Sequence, residues 1–277
     1  MAGSARVRVD GPRRGASGGV RAPGLLLLVL FLVTQLLVQT DVRAAGLIVL
    51  DPGHGGHLSG AHSLEGVEEK TIVLAIALAA RQTLEADGYR VMMTRRDDRH
   101  VELADRIALA NRKGAVAFVS IHGNYSPVSS RRGVETYVLS VAASDETSLT
   151  LAHLENEGEI FDRSVDEDAF GGGAIDRERA DVRYIVSDLV RMNAHQESGA
   201  LALNVQNTVG RVEGLGPSRG LRQAPFRVLK GARMAAVLIE VGYLSNKRQG
   251  AFLSTVKAQR AAGVALARGI ERFLKTR

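Results

Sequence analysis

From Gly46 to the C terminus, short apolar runs alternate with stretches of helical periodicity, and that alternation restricts the chain to a narrow set of folds. The segments "LIVL" (47–50), "YRVMMT" (89–94), "AVAFVSI" (115–121), "VETYVL" (134–139) and "AAVLIEV" (235–241) read as strands, while 71–84 and 101–111 carry the periodicity of helices. Strands separated by crossover helices give an α/β architecture. The last run is nearly free of polar residues, as strands covered on both faces are. The expectation is a single-domain open twisted sheet, mostly parallel, with helices on both faces. A final helix should open at Asn246, with Gln249 three residues on, and turn Phe252, Val256, Ala261, Val264, Ala267, Ile270 and Phe273 toward the sheet.

Between 145 and 214 the character changes. Residues 145–168 hold nine acidic side chains against one arginine, "GGG" follows at 171–173, and a helical stretch begins near Arg177 with Tyr184, Ile185, Leu189 and Met192 at helical spacing. This reads as an inserted helical segment at about 145–214 on one side of the sheet, with a mobile acidic part.

The first 44 residues stand apart from the sheet pattern. Arg6, Arg8, Arg13, Arg14 and Arg21 precede the apolar block "LLLLVLFLVTQLLV" (25–38), and Val42 and Ala44 suit cleavage after Ala44. This reads as a signal peptide at 1–44, an uncleaved N-terminal anchor being the alternative, because the block is short for a membrane span. Arg13 and Arg14 suit a twin-arginine signal poorly, given the "GASGG" after them.

Without that segment the formal charge drops from +6 to +2, and only 4% of residues are aromatic. So small a surplus with so few stacking groups gives nucleic-acid binding little support. There is no cysteine, which excludes disulfides, thiolate-ligated zinc and thiol nucleophiles. Catalysis is left to His, carboxylates, Ser or a metal held by N and O.

Position relative to the strands selects candidates. His54 follows the strand 47–50, His122 follows 115–121, and Glu240 lies near the end of 235–241. The carboxyl edge of an open α/β sheet is where ligands bind. Glu69 precedes Ile72, Val73 and Ile76 by three, four and seven residues; this places it on the buried stripe of its helix, where a carboxylate needs a partner. Taken singly, each has an ordinary reading: His54 as a turn residue, His122 as a hydrogen-bonded core histidine, Glu69 as a helix N-terminal acid and Glu240 as an ion-paired carboxylate. Together, two imidazoles and a carboxylate make a common catalytic zinc set with one position open to water, and a second carboxylate such as Glu240 can act as base. The turn "DPGHGG" fits neither phosphate-binding glycine pattern. His57, His62, His100, His153 and His195 lack a place at that edge and read as surface or local residues.

The segments "VLDPGHGG" (49–56), "EEKTIVLAIAL" (68–78), "TRRDD" (94–98), "LADRIALAN" (103–111), "VSIHGN" (119–124), "GVETYVL" (133–139) and "RQAPFRVLKGARMAAVLIEVGYLSN" (222–246) together resemble the zinc-dependent N-acetylmuramoyl-L-alanine amidases. The resemblance spans the chain after residue 44. It implies a peptidoglycan hydrolase, with 45–277 as catalytic domain, that cleaves between N-acetylmuramic acid and the L-alanine of the stem peptide in cell-wall remodelling or daughter-cell separation. It implies Zn2+ held by His54, Glu69 and His122, and Glu240 as the catalytic residue. Tyr243, Gly123, Ala235 and the run His57, Leu58, Ser59 depart from the usual family residues without removing a donor. Some relatives carry an inhibitory helix that a partner displaces. The acidic segment 145–168 sits comparably, with Glu155, Glu157 or Glu159 as the blocking carboxylate and an activator protein as partner. The chain is expected to be exported, to the periplasm, to the outside or anchored N-terminally, touching membrane through its signal segment alone, and monomeric. A peptidoglycan-binding relative without activity, a zinc peptidase acting on the stem and a nucleotide-binding α/β protein are the alternatives.

Overall fold

The computed structural model describes residues 46–156 and 177–277 besides Met1, without side chains for 177–189 and 191. The expectations for 1–44, and for Glu157, Glu159 and the glycines at 171–173, lie outside the described residues.

Chain order is β1 (Leu47–Pro52), α1 (Glu69–Ala86), β2 (Arg90–Met93), α2 (Leu103–Arg112), β3 (Ala115–Asn124), β4 (Val134–Leu139), α3 (Glu146–Asn156), α4 (Arg177–Val209), β5 (Ser218–Ala224), a 3-10 turn (Arg227–Leu229), β6 (Ala235–Tyr243), α5 (Lys247–Leu253) and α6 (Val256–Thr276). The strands form one six-stranded sheet in the order β2-β1-β3-β6-β4-β5. Neighbours run parallel except β4 against β6, as expected from the alternating pattern.

Period-two alternation sorts the core onto two faces. On one side Ile48, Leu50, Val237 and Ile239 pack with Ile72 and Ile76 of α1, Leu201 and Val205 of α4 and Leu266 and Ile270 of α6. On the other, Val49, Phe118 and Leu238 pack with Ile107 of α2, Leu151 of α3 and Phe226. Apolar surface leaving water contributes roughly 25 cal/mol per Å2, and this stabilises both layers.

Two features differ from the sequence reading. The closing helix is two: Thr255 interrupts it and accepts a hydrogen bond from the Ala258 N–H, capping α6. Within α6 Ala267, Ile270 and Phe273 face the core as expected, but the stripe continues through Ala258, Ala262 and Leu266, which leaves Val256 and Val264 facing solvent. β5, "SRGLRQA", escapes the apolar pattern because it is an edge strand bearing two arginines. As expected for a helical segment on one side of the sheet, Leu201, Ala202, Val205 and Val209 of α4 pack into the main core. Among the described residues no helix is long and apolar enough to cross a membrane.

Candidate metal centre

The carboxyl ends of β1, β3 and β6 meet at one edge. β3 extends further than its apolar run suggests, which places His122 within the strand and opposite Glu240 in register. Glu240 also faces Glu135 across the antiparallel β4–β6 pair. β1 ends at Pro52, and the turn after it carries His54 at φ 55°, the one positive φ of a non-glycine among the described residues. Gly53, just before it, leaves room for the His122 ring. A Cβ there would overlap the His122 ring, although Gly53 itself stays outside the positive-φ region.

Glu69 opens α1 and is 1% exposed, on the stripe shared with Ile72, Val73 and Ile76. The partners its burial demanded are backbone donors: Gly123 N–H to Oε1 at 2.9 Å and Ala61 N–H to Oε2 at 2.8 Å. Oε1 also lies 3.0 Å from His54 Nε2 and 3.2 Å from His122 Nδ1. The two rings meet edge-on, their centroids 4.9 Å apart.

A fourth donor comes from α3. Glu155 Oε2 stands 2.8 Å from His122 Nδ1 and 3.3 Å from His54 Nε2. Ligand atoms of His54, Glu69, His122 and Glu155 lie within 4.8 Å of one another, a group able to hold a metal ion. His54 Nε2, His122 Nδ1 and Glu155 Oε2 are buried without a hydrogen bond, as are both oxygens of Glu240. Buried polar atoms are ordinarily paired. Donor atoms that converge while leaving their lone pairs unused fit a cation between them, and two nitrogens with two oxygens suit zinc.

The electrostatics agree. Burial opposes a charge on His54, yet Glu69 and Glu155 outweigh it and raise its pKa to about 9. His122 is raised well above the ordinary histidine value for the same reason, Glu155 being the largest attraction. Glu69, despite burial, is held down at about 2 by His54. Glu240 moves the other way: burial first, and then the charge of Glu155, raise it well above the usual carboxylate value. A fully buried carboxylate with a raised proton affinity is equipped to take up a proton.

The other five histidines stay out of the cluster. His57 lies against His100 with the rings tilted, His100 approaches Glu102, and His62, His153 and His195 are exposed. Sequence reasoning missed Glu135, which is 1% exposed beside Glu240. It accepts from the Tyr137 and Tyr243 hydroxyls at 3.0 and 3.1 Å, from Asn124, and from Arg219 at 2.7 Å. The i, i+2 pair Glu135 and Tyr137 in a strand puts both on one face, which was the available signal.

A family model described as N-acetylmuramoyl-L-alanine amidase matches residues 48–272. The chain belongs to this family. It is 33% identical over 230 residues to the amidase AmiC of Neisseria meningitidis serogroup B, covering 83% of this chain and 53% of that relative. With the amidase AmiA of Salmonella typhimurium the identity is 31%, over 81% of this chain and 74% of the relative. The chain thus spans about half the length of the first and three quarters of the second. Among solved structures, the amidase AmiC2 of Nostoc punctiforme superposes with a TM-score of 0.61 at 28% identity, covering 84% of this chain and 99% of that one. The amidase fold and the polar edge of the sheet therefore occur together in one chain.

Proposed function

We propose that the chain is a zinc-dependent N-acetylmuramoyl-L-alanine amidase that hydrolyses the amide between N-acetylmuramic acid and the L-alanine of the peptidoglycan stem. The observation that carries this reading is the convergence of His54, Glu69 and His122, with unused donor atoms, beside the unpartnered and proton-avid Glu240. Family membership supports the choice of bond. His54, Glu69 and His122 would hold the zinc. Zinc in that place would supply Lewis acidity, lowering the pKa of water to about 7 and polarising a carbonyl. Glu240 accepts the proton of the attacking water and delivers it to the leaving amine. Its position opposite His122 in register keeps that proton beside the donor set.

Glu155 is the resting-state plug in this reading. α3 is pinned to the edge of the sheet at both ends. Asp145 caps it by accepting from the Ser148 N–H and hydroxyl and pairs with Arg222. Asn156 donates to the Pro225 carbonyl and accepts from the Arg227 N–H. Substrate can approach the donor set once Glu155 leaves, and an activator protein that binds α3 would favour the open state. Residues 1–44 act as an export signal or anchor, 45–277 form the catalytic domain, and a monomer working in the periplasm or outside the cell accounts for the function.

The test is digestion of purified peptidoglycan with and without a zinc chelator, the soluble products read by mass spectrometry. Free stem peptides beginning with L-alanine, released when zinc is present, support the amidase. Cuts within the stem would make the protein a zinc peptidase. No release from a folded, zinc-loaded variant lacking 145–173 would make it a binding module.

A further inference from the structure

Two arginines lie buried behind the His54 turn, and the chemistry above uses neither. Arg95 is 0% and Arg106 2% exposed. Their guanidinium groups fan out over the carbonyls of three consecutive residues. Arg95 donates from Nε to Pro52 O at 3.0 Å and from Nη2 to Gly53 O at 2.6 Å; Arg106 donates from Nη1 to Pro52 O at 2.8 Å and from Nη2 to His54 O at 2.9 Å. The same Nη2 of Arg95 also reaches Lys70 O at 2.9 Å, the residue next to Glu69. The turn is tied to the third donor as well, through the Gly53 N–H on Ile121 O at 2.9 Å, beside His122.

This placement is costly for a scaffold. Asp51, wholly buried, bonds Arg106 at 2.9 Å, while Arg95 donates to carbonyls. Burial and the charge of Arg106 push Arg95 down to about 10. An apolar pair of similar size would fill the space without that desolvation. What it could not do is hold three successive carbonyls on one side of the chain and so aim the imidazole of a residue at φ 55° to the other. A planar fork with several donors does this, and lysine, a point charge on a flexible stem, does not.

We propose that Arg95 and Arg106 are positioning residues for the metal donors, Arg106 setting the His54 turn and Arg95 locking that turn to the start of α1 so that His54 and Glu69 face one point. The inference rests on the zinc reading, and the experiment separates the two. Zinc dissociation constants are measured on the full chain by competition with a chromogenic chelator, together with the visible spectrum of the Co2+-substituted protein and the melting temperature of the metal-free form. Arg95→Lys and Arg106→Lys are each expected to weaken zinc binding by at least about tenfold, the scale for residues that orient metal ligands, and to alter the Co2+ spectrum. The control is Gln206→Ala. Gln206 bonds Thr136, Val134 and Ser218 on α4's side of the sheet, so its loss should lower the melting temperature and leave zinc affinity unchanged. Lysine variants that bind zinc as tightly as the parent would overturn the proposal, as would Gln206→Ala weakening zinc in proportion to its melting temperature. If one lysine variant fails to fold, the other decides. A parent chain that binds no zinc would instead overturn the reading of the site.

Discussion

Glu155→Gln is expected to activate the enzyme, and the structure sets the scale. The substitution preserves shape and removes the charge that Oε2 brings within 2.8 Å of His122 and 3.3 Å of His54. A buried contact between opposite charges at such distances is worth about as much as a hydrogen bond to a charged group, roughly 1.5–3 kcal/mol. At 1.36 kcal/mol per tenfold, losing one such contribution shifts the docked-to-open ratio of α3 roughly ten- to a hundredfold. The helix would still be held by Asp145, by buried Leu151 and Ala152, and by the two bonds of Asn156. Adding Asn156→Ala removes two ordinary hydrogen bonds of about 1 kcal/mol each, a further factor of roughly thirty. Activity rises only until the open state predominates, so the ratio between double and single variants reports how much closed enzyme remains. The assay is release of dye-labelled peptidoglycan at equal zinc content. A folded Glu155→Gln protein with parental zinc and parental or lower activity would refute the plug.

Glu240→Gln should keep its zinc and lose turnover by a factor on the order of 10^2 or more, the usual contribution of a positioned acid–base group; metal analysis beside steady-state rates checks both halves, and full activity would remove Glu240 from the mechanism. Gly53→Ala should lower zinc occupancy, because the added methyl would collide with the His122 ring; elemental analysis of the purified variant reads this directly, and parental occupancy would count against so tight a fit. The metal-free protein should lose stability as pH rises. His54 moves from 6.5 to about 9 on folding, so its contribution is complete below 6.5 and vanishes as pH passes 9; His122 has the same sign. Melting temperatures of chelated protein at pH 6.5 and 9 test it, and a His54→Ala protein with an equal difference between the two would contradict the assignment. Over that window zinc should bind more tightly with rising pH, since protons compete for the same imidazoles.

Much of the sheet and the donor set was legible because both rest on local signals. The β1, β3 and β6 runs are apolar and short, and a polar residue at the carboxyl end of such a run has few places to go except the ligand edge. Glu69 was legible through its phase: a helix that buries Ile72, Val73 and Ile76 also buries the residue three and four positions earlier. Where the signal is not local the reading faltered. β5 has two arginines and little apolar character because it lies at the edge. The break at Thr255 is a cap within a continuous amphipathic pattern, and a cap looks like any threonine until the chain turns there.

The arginines mark the same boundary more sharply. Arg95 and Arg96 are adjacent in "TRRDD", chemically identical and equally hydrophilic, yet Arg95 is wholly buried and Arg96 exposed. Nothing in their neighbours distinguishes them. What does is a set of carbonyls at 52, 53 and 70, brought together by the β1–β2 pairing and the start of α1. Glu135 is a parallel case, since its burial is offset by two tyrosines, an asparagine and an arginine from four strands. A charged residue can enter a core only where several partners meet it, so its site is written in tertiary geometry, whereas a donor at a strand end is written in the strand itself. It follows that the residues gathered at the sheet edge were readable one segment at a time, and the buried charges behind them were readable only after folding.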